Sequence, residues 1–344
     1  MATHEIRDIT IIGGGPTGLF AQFYAGMRGA TSQIVDALPQ LGGQLTALYP
    51  EKDIFDVAGF PQVSAKELVR RLAEQAGRWE QPVFLNQRVV GLEEGVEPDG
   101  RKHFILVTET DRFPTRAMVI AAGIGAFSPR RLPQKCAEPF YGRGIQDVVT
   151  DPDEFIDRDV VIIGGGDSAF DWAAQLARRA SSVTLVHRSD RFRAHAATVE
   201  EVQRNAANGG RTTVLTFHEL CDVICPGGDL EGVIVRDVKT RETRELRASV
   251  VLPMLGFVSD MGVLVEWGLT LDKNEIVVNT MMETGREGIY AAGDVCTYPG
   301  KLKLIASGFS EGAIAVNQAV HWIYPEKKVA PGHSSNLAIF GQTD

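Results

Sequence analysis

The sequence predicts an α/β protein of two doubly wound, dinucleotide-binding units, the second inserted within the first. Three observations carry this. A strand, glycine loop and helix occur in succession twice, at Ile9–Gly18 and at Val160–Ala169. Each copy is followed by a second apolar strand, Ser32–Asp36 and Val183–His187. Two further apolar runs, Met118–Ala122 and Val250–Leu255, end at glycines, and the crossings between units are read there. Strand, helix and strand within about 30 residues form the repeating unit of a parallel sheet. The first unit is expected to span 1–123 and 254–344, and the inserted unit 124–253.

The helices follow from spacing. Leu19–Met27 and Phe170–Arg179 carry apolar residues at intervals suited to packing on a sheet. A chain of 344 residues accommodates two such units. Units of this size bury real cores without disulfide staples. Four cysteines without framework spacing fit a reducing compartment. A net charge of -9 gives no overall footprint for nucleic acid or an anionic membrane. No apolar run approaches the ~18 residues of a span. Met1–Asp8 lacks a basic segment followed by an apolar stretch and a cleavage site. These features predict a soluble, cytoplasmic protein with neither nucleic acid nor membrane as partner, and no metal site is assigned.

In the first loop, Gly13 permits a tight turn, Gly15 lets a pyrophosphate approach the backbone, and Gly18 lets the helix pack close to the strand. The helix start, with Thr17 counted in the site, supplies free N–H donors. Asp36 ends the next strand at the spacing expected of a ribose-binding acid, where it accepts from both hydroxyls and repels a 2′-phosphate. The plainer reading of Asp36 is a turn residue at a strand end. Far along the chain, Gly288–Asp294 is a strand ending in Gly-Asp. It looks like the second FAD fingerprint of two-dinucleotide flavoproteins, whose aspartate bonds the ribityl chain; a simple turn is the alternative.

The second loop, Gly164 to Gly166 followed by Asp167 and Ser168, lacks the acid. Its second strand runs into His187-Arg188-Ser189-Asp190-Arg191-Phe192-Arg193. Arginines there bind a 2′-phosphate bidentately, so this site is expected to take NADPH through His187, Arg188 and Arg193. A solvated basic turn is the competing reading. FAD at the acidic loop and NADPH at the basic one would pass hydride from nicotinamide to flavin.

At this point the chain resembles the thioredoxin reductase fold family. Pro39–Lys52, Phe55–Pro61, Gly166–Trp172, Leu304–Phe309 and the tail His333–Ser335 are more specifically similar to the thioredoxin-reductase-like ferredoxin–NADP⁺ reductases, over essentially the whole chain. The resemblance implies two Rossmann-like domains, and Gln44 on the flavin side of FAD. It implies Tyr49 stacked on one isoalloxazine face, although a tyrosine before proline also serves as a partly buried loop anchor. Val89 would meet the adenine through its backbone, Phe127 would lie close to the flavin, and Ser335 near its ring. His333 would cover the opposite face from the partner subunit of a homodimer. The implied partner is ferredoxin or flavodoxin.

A thioredoxin reductase needs a CxxC before its second glycine loop, but Gly144–Asp157 contains no cysteine, and neither does Gly43–Lys52. Cys221 and Cys225 are spaced CxxxC; in an extended segment they lie about 13 Å apart, too far for a disulfide. In a helix they could meet. Cys136 and Cys296 stand singly and read as small buried hydrophobes. No catalytic side chain is assigned; His195 and Asp56 are left out. The rivals are a disulfide reductase acting on a partner's cysteines and a non-catalytic NADPH-sensing flavoprotein. Lys301 with Lys303, Arg130 with Arg131, and Lys327 with Lys328 are the candidate docking charges for an acidic carrier, or else ordinary surface charges.

Overall fold

A computed structural model describes residues 2–48, 52–149, 151–329 and 334–340, excepting the side chains of 126–128, 257–260, 336 and 338. The chain divides into two compact units, residues 1–126 with 259–344, and residues 127–258. Strands Ala126–Pro129 and Phe257–Asp260 run through the two boundaries.

The first unit opens with β1 (Arg7–Ile12), whose Ile9 and Ile11 are fully buried. Helix α1 (Pro16–Met27) starts on a proline, whose missing N–H costs nothing in the first turn. Strand β2 (Ser32–Val35) returns parallel to β1, with Ile9 opposite Ser32. A short helix α2 (Gln44–Leu48) follows. Helix α3 (Ala65–Ala76) is capped by Ser64, whose hydroxyl accepts the Glu67 N–H at 3.3 Å. Strand β3 (Val83–Phe84) extends the parallel sheet beside β2. Then β4 (Val89–Val96), β5 (Lys102–Thr108) and β6 (Asp111–Ile120) form an antiparallel meander. Strand β6 belongs to both arrangements: it pairs antiparallel with β5, while Thr115–Ile120 also runs parallel to β1. Its Phe113, Met118, Val119 and Ile120 are fully buried at the core's centre.

The inserted unit repeats the plan. Strand β7 (Asp159–Gly164), α4 (Asp167–Leu176) and β8 (Ser182–His187) form the first strand–helix–strand turn. Helix α5 (Ala196–Ala207) leads to β9 (Thr212–Thr216). An antiparallel meander of β10 (His218–Ile224), β11 (Gly232–Asp237) and β12 (Thr243–Arg247) intervenes. Strand β13 (Val250–Met254) then joins the parallel sheet, in the order β9-β8-β7-β13. Leu185, Ile162 and Leu252 stack through its core, fully buried.

Back in the first unit, β14 (Ile289–Ala291) pairs in parallel with Met118–Ile120. Helix α6 (Ile305–Ile323) packs on α1. Among the described residues, no helix is long and apolar enough to cross a membrane.

Candidate functional site

Each unit carries a glycine loop between a buried strand and a helix whose first turn lacks a side-chain cap. Gly15 caps α1 and Gly166 caps α4, and neither helix has a side-chain hydrogen bond at that end. A Ser, Asp or Asn there would normally satisfy those N–H groups. Glycine leaves them free and adds no side chain over the helix end.

Local geometry separates the glycines that build the first loop from those that clear it. Gly13 has φ +107°, and a Cβ on it would meet the Ala121 carbonyl oxygen at 2.5 Å. A Cβ on Gly18 would lie 1.9 Å from the Gly13 oxygen. These two are demanded by the fold. Gly15 is extended, with φ -72°, and its nearest neighbour would be the Gly43 Cα at 4.0 Å. Gly166 has φ -99°, with nothing within 4 Å. Neither position needs glycine for backbone or packing, so the missing Cβ keeps space open over a helix N-terminus. The residues present fit a pyrophosphate at both loops.

Around the first loop the neighbours converge through backbone. The Gly42 N–H donates to the Gly14 oxygen at 2.8 Å, and a Cβ on Gly43 would meet the Gly15 Cα at 3.2 Å. Gln44, at the start of α2, brings its Nε2 to 3.3 Å from where a Gly123 Cβ would stand. Asp36 is only 7% exposed, and its oxygens accept the Gly14 N–H at 2.5 Å and the Leu38 N–H at 2.8 Å. Burial pushes its carboxyl up, and those two N–H bonds oppose the shift without cancelling it. Each oxygen keeps a lone pair for a ribose hydroxyl. The Gln87 N–H donates to the Asp36 carbonyl at 2.8 Å, which places the segment entering Val89 beside the same acid.

The Gly293-Asp294 turn follows β14. Burial pushes the Asp294 carboxyl up, while Lys303 and Lys301 pull it partly back. Beneath it, Thr17 is turned towards α6 and the turn: its hydroxyl lies 2.2 Å from a Cβ built on Gly308 and 2.8 Å from one on Gly293. Its side chain thus fills the gap those glycines leave.

In the inserted unit, the basic turn is held onto the second loop at three points. Arg193 N–H donates to the Gly165 oxygen at 2.8 Å, and His195 N–H to Asp167 Oδ1 at 2.9 Å. Phe192 packs edge-on against the fully buried Phe170, 4.7 Å between centroids. The His187 ring lies where a Gly165 Cβ would stand, 2.4 Å away. Its Nε2 is 3.2 Å from the Arg191 carbonyl, a contact that requires the proton on Nε2. Burial lowers its pKa, so the ring is neutral near pH 7. Arg188 and Arg193 are exposed, and among the described residues neither pairs with a carboxylate. Two unneutralised guanidinium groups beside an uncapped helix fit a phosphate-bearing dinucleotide.

The remaining expected residues fall differently. Gly164 is required by packing, since its Cβ would meet the Met254 oxygen at 2.3 Å. Ser168 lies in the first turn of α4. Ser335 is exposed in a short turn of helix, Ser334–Asn336. Tyr49 and His333 lie outside the described residues, as does the side chain of Phe127. Phe340 packs against Trp79 and Phe23 of its own unit.

The docking charges need correction. Lys301 is not a surface charge: its side chain is 5% exposed and bonds both carboxylate oxygens of Glu311. Lys303 pairs with Glu275 at 2.5 Å. Arg131 bridges Glu138 at 3.0 Å and Asp147 at 3.6 Å, over the Tyr141 ring. Lys327 lies over the ring of Tyr324. Arg130 and Lys328 remain exposed. Glu311, which no sequence expectation included, is the buried acid that captures Lys301.

The cysteines are all free thiols. Cys221 and Cys225 lie in or next to the extended β10, as an unpaired reading requires. Burial, with smaller effects from neighbouring charges, pushes the Cys296 thiol up to about 12. It is therefore not a thiolate nucleophile at neutral pH.

Two uncapped glycine loops, one facing a buried acid and one facing unpaired arginines, define a pyridine-nucleotide-linked flavin oxidoreductase fold. The family model described as pyridine nucleotide-disulphide oxidoreductase matches residues 7–319. A thioredoxin reductase structure from Lactococcus lactis superposes with a TM-score of 0.74 at 25% identity, covering 93% of this chain and 99% of its own. The similarity is higher to ferredoxin–NADP reductase of Halalkalibacterium halodurans, 47% identical over 97% of this chain and 98% of that protein. Ferredoxin–NADP reductase 2 of Bacillus subtilis is 45% identical over 97% of both chains. The chain belongs to the ferredoxin–NADP reductase family within the pyridine nucleotide-disulphide oxidoreductases.

Proposed function

We propose that this enzyme moves electrons between NADPH and ferredoxin or flavodoxin through a bound FAD. The observation that carries the assignment is the opposite charge of the two loops. Asp36 at the first favours unphosphorylated ribose, and the unpaired Arg188 and Arg193 at the second favour a 2′-phosphate. The first turns of α1 and α4 hold the two pyrophosphates, and Asp294 orients the ribityl chain. When bound, FAD accepts a hydride from NADPH and releases electrons singly. The protein's part is to bind, orient and shield, and no side-chain acid, base or nucleophile is assigned to the reaction. A disulfide route through the chain's own cysteines is disfavoured because Gly144–Asp157 and Gly43–Lys52 contain none and the buried Cys296 is held protonated.

The same reading has the enzyme act in the cytoplasm as a homodimer, with Tyr49 on one flavin face and His333 offered to the flavin of the other subunit. Phe127 and Ser335 would approach the ring, and Val89 the adenine.

The purified protein is expected to be yellow and to release FAD on denaturation. NADPH should then support rapid reduction of ferredoxin or flavodoxin, with thioredoxin a poor acceptor. Release of FMN, or thioredoxin as the preferred acceptor, would count against the assignment.

A further inference from the structure

Helix α6 turns one face into the core. Its seven buried positions run from Gly308 to Val320, and Glu311 is the only charged one among them, 2% exposed. Its Oε2 accepts the Gly293 N–H at 2.7 Å, and its Oε1 accepts the Tyr298 hydroxyl at 2.7 Å. Lys301 Nζ donates to both oxygens, at 2.5 and 2.6 Å. Gly293 has φ +81°, and Thr17 blocks the space its side chain would need. Gly293, the residue immediately before Asp294, is thereby held from two sides, through its N–H and by the Thr17 side chain.

Stability alone does not call for this pair. Removing two charges from water is costly, and apolar residues of similar size commonly hold a core as well or better. What apolar residues cannot do is accept the Gly293 N–H, or set the charge under Asp294. We infer that Glu311 and Lys301 are a positioning pair for the flavin: Glu311 aims Asp294 by holding the Gly293 peptide, and Lys301 cancels its charge. The electron affinity of the flavin is then displaced by neither. This rests on the reading of the first loop as the FAD site. Burial raises the Asp294 carboxyl; Lys303 and then Lys301 pull it down, and Glu311 and Glu275 push it up, so the pair acts on it alongside Lys303 and Glu275.

Three variants of the full-length protein test it: Glu311→Gln, Lys301→Met, and the apolar double variant Glu311→Leu with Lys301→Met. The measurements are the FAD dissociation constant from titration of apoprotein, and the flavin midpoint potential against a reference dye. E311Q leaves an unpaired cation beside Asp294 and should raise the potential, whereas K301M should not. The apolar double variant restores charge balance and should keep the potential near that of the unaltered protein. It has lost the Gly293 acceptor, however, and should bind FAD roughly tenfold more weakly, as for partners in one hydrogen-bond network. An E311Q potential that is unmoved or lower, or one that K301M matches, overturns the charge role. If a single variant fails to fold, the double variant decides: undiminished FAD affinity there overturns the positioning role. Failure of the unaltered apoprotein to take up FAD would instead remove the FAD reading, and the pair's role with it.

Discussion

Alanine at Gly15 is expected to strip FAD from a protein that still folds, while alanine at Gly13 damages the fold itself. The two positions stand two residues apart in one loop, and a generic glycine requirement would treat them alike. At Gly13 the φ of +107° is strained for any side chain, and the Cβ would press on the Ala121 carbonyl at 2.5 Å. Strained backbone costs about 1–3 kcal/mol, and overpacking costs about 1–3 kcal/mol more. That is a large share of the ~5–15 kcal/mol that holds a domain folded. At Gly15 the backbone is ordinary and the nearest atom would be 4.0 Å away. Its Cβ would stand over the free N–H groups of α1 and exclude the pyrophosphate. Thermal melts followed by circular dichroism, with flavin absorbance per protein, separate the two. The expected result is a large fall in melting temperature for Gly13→Ala only, and flavin loss in both. A Gly15→Ala protein that retains full flavin would show that the open cradle holds something else. Gly166→Ala is the parallel case: it should raise KM for NADPH and leave flavin content unchanged.

The second large effect is expected at Arg188. Its guanidinium is exposed and pairs with no carboxylate among the described residues, yet the turn carrying it is fastened to the loop by Phe192 and the Arg193 and His195 N–H groups. A free cation on a fixed turn is pre-organised for a phosphate. A charge-assisted hydrogen bond of this kind is worth about 1.5–3 kcal/mol, or roughly 10- to 150-fold in affinity. Arg188→Ala should therefore raise KM for NADPH by about that factor and leave NADH almost untouched. The fastenings do not involve the arginine side chain, so stability should hold. Equal losses with both nucleotides would reduce the turn to a solvated surface.

What the sequence made legible follows from how strongly local pattern constrained each part. The strand–loop–helix–strand units at Arg7–Val35 and Asp159–His187 declared themselves because continuous apolar strands end at glycines with defined duties. The meanders were largely silent. In β4, Val90 and Val96 are exposed while Glu93 and Glu94 share the strand, so the alternation that marks a half-buried strand is blurred. Asp36 could be read because its spacing from the loop is part of the recognition. Glu311 could not, for a lone acid in a long apolar helix resembles a solvated position. A signal did exist: residue 311 falls in register with Gly308, Gly312, Ala315 and Ala319, and an acid on that buried stripe demands a cation. Lys301, which follows Gly300 in what reads as a polar turn, is that cation; its place in sequence made it look like surface.

The most direct test of an electron-carrier reductase, as opposed to a disulfide reductase working through its own cysteines, is turnover by a protein without thiols. Cys136, Cys221, Cys225 and Cys296 are replaced together by serine, and NADPH-dependent ferredoxin reduction is measured at matched flavin content. Cys296 is fully buried and its thiol lies 3.3 Å from the Gly293 carbonyl, a contact that a serine hydroxyl can reproduce. The others are partly exposed and unpaired. The expected turnover lies within a few-fold of the unaltered enzyme, because hydride and electrons pass through the flavin and no sulfur takes part. Loss of ferredoxin turnover with normal flavin content and an unchanged melting temperature would contradict the account and return the disulfide mechanism.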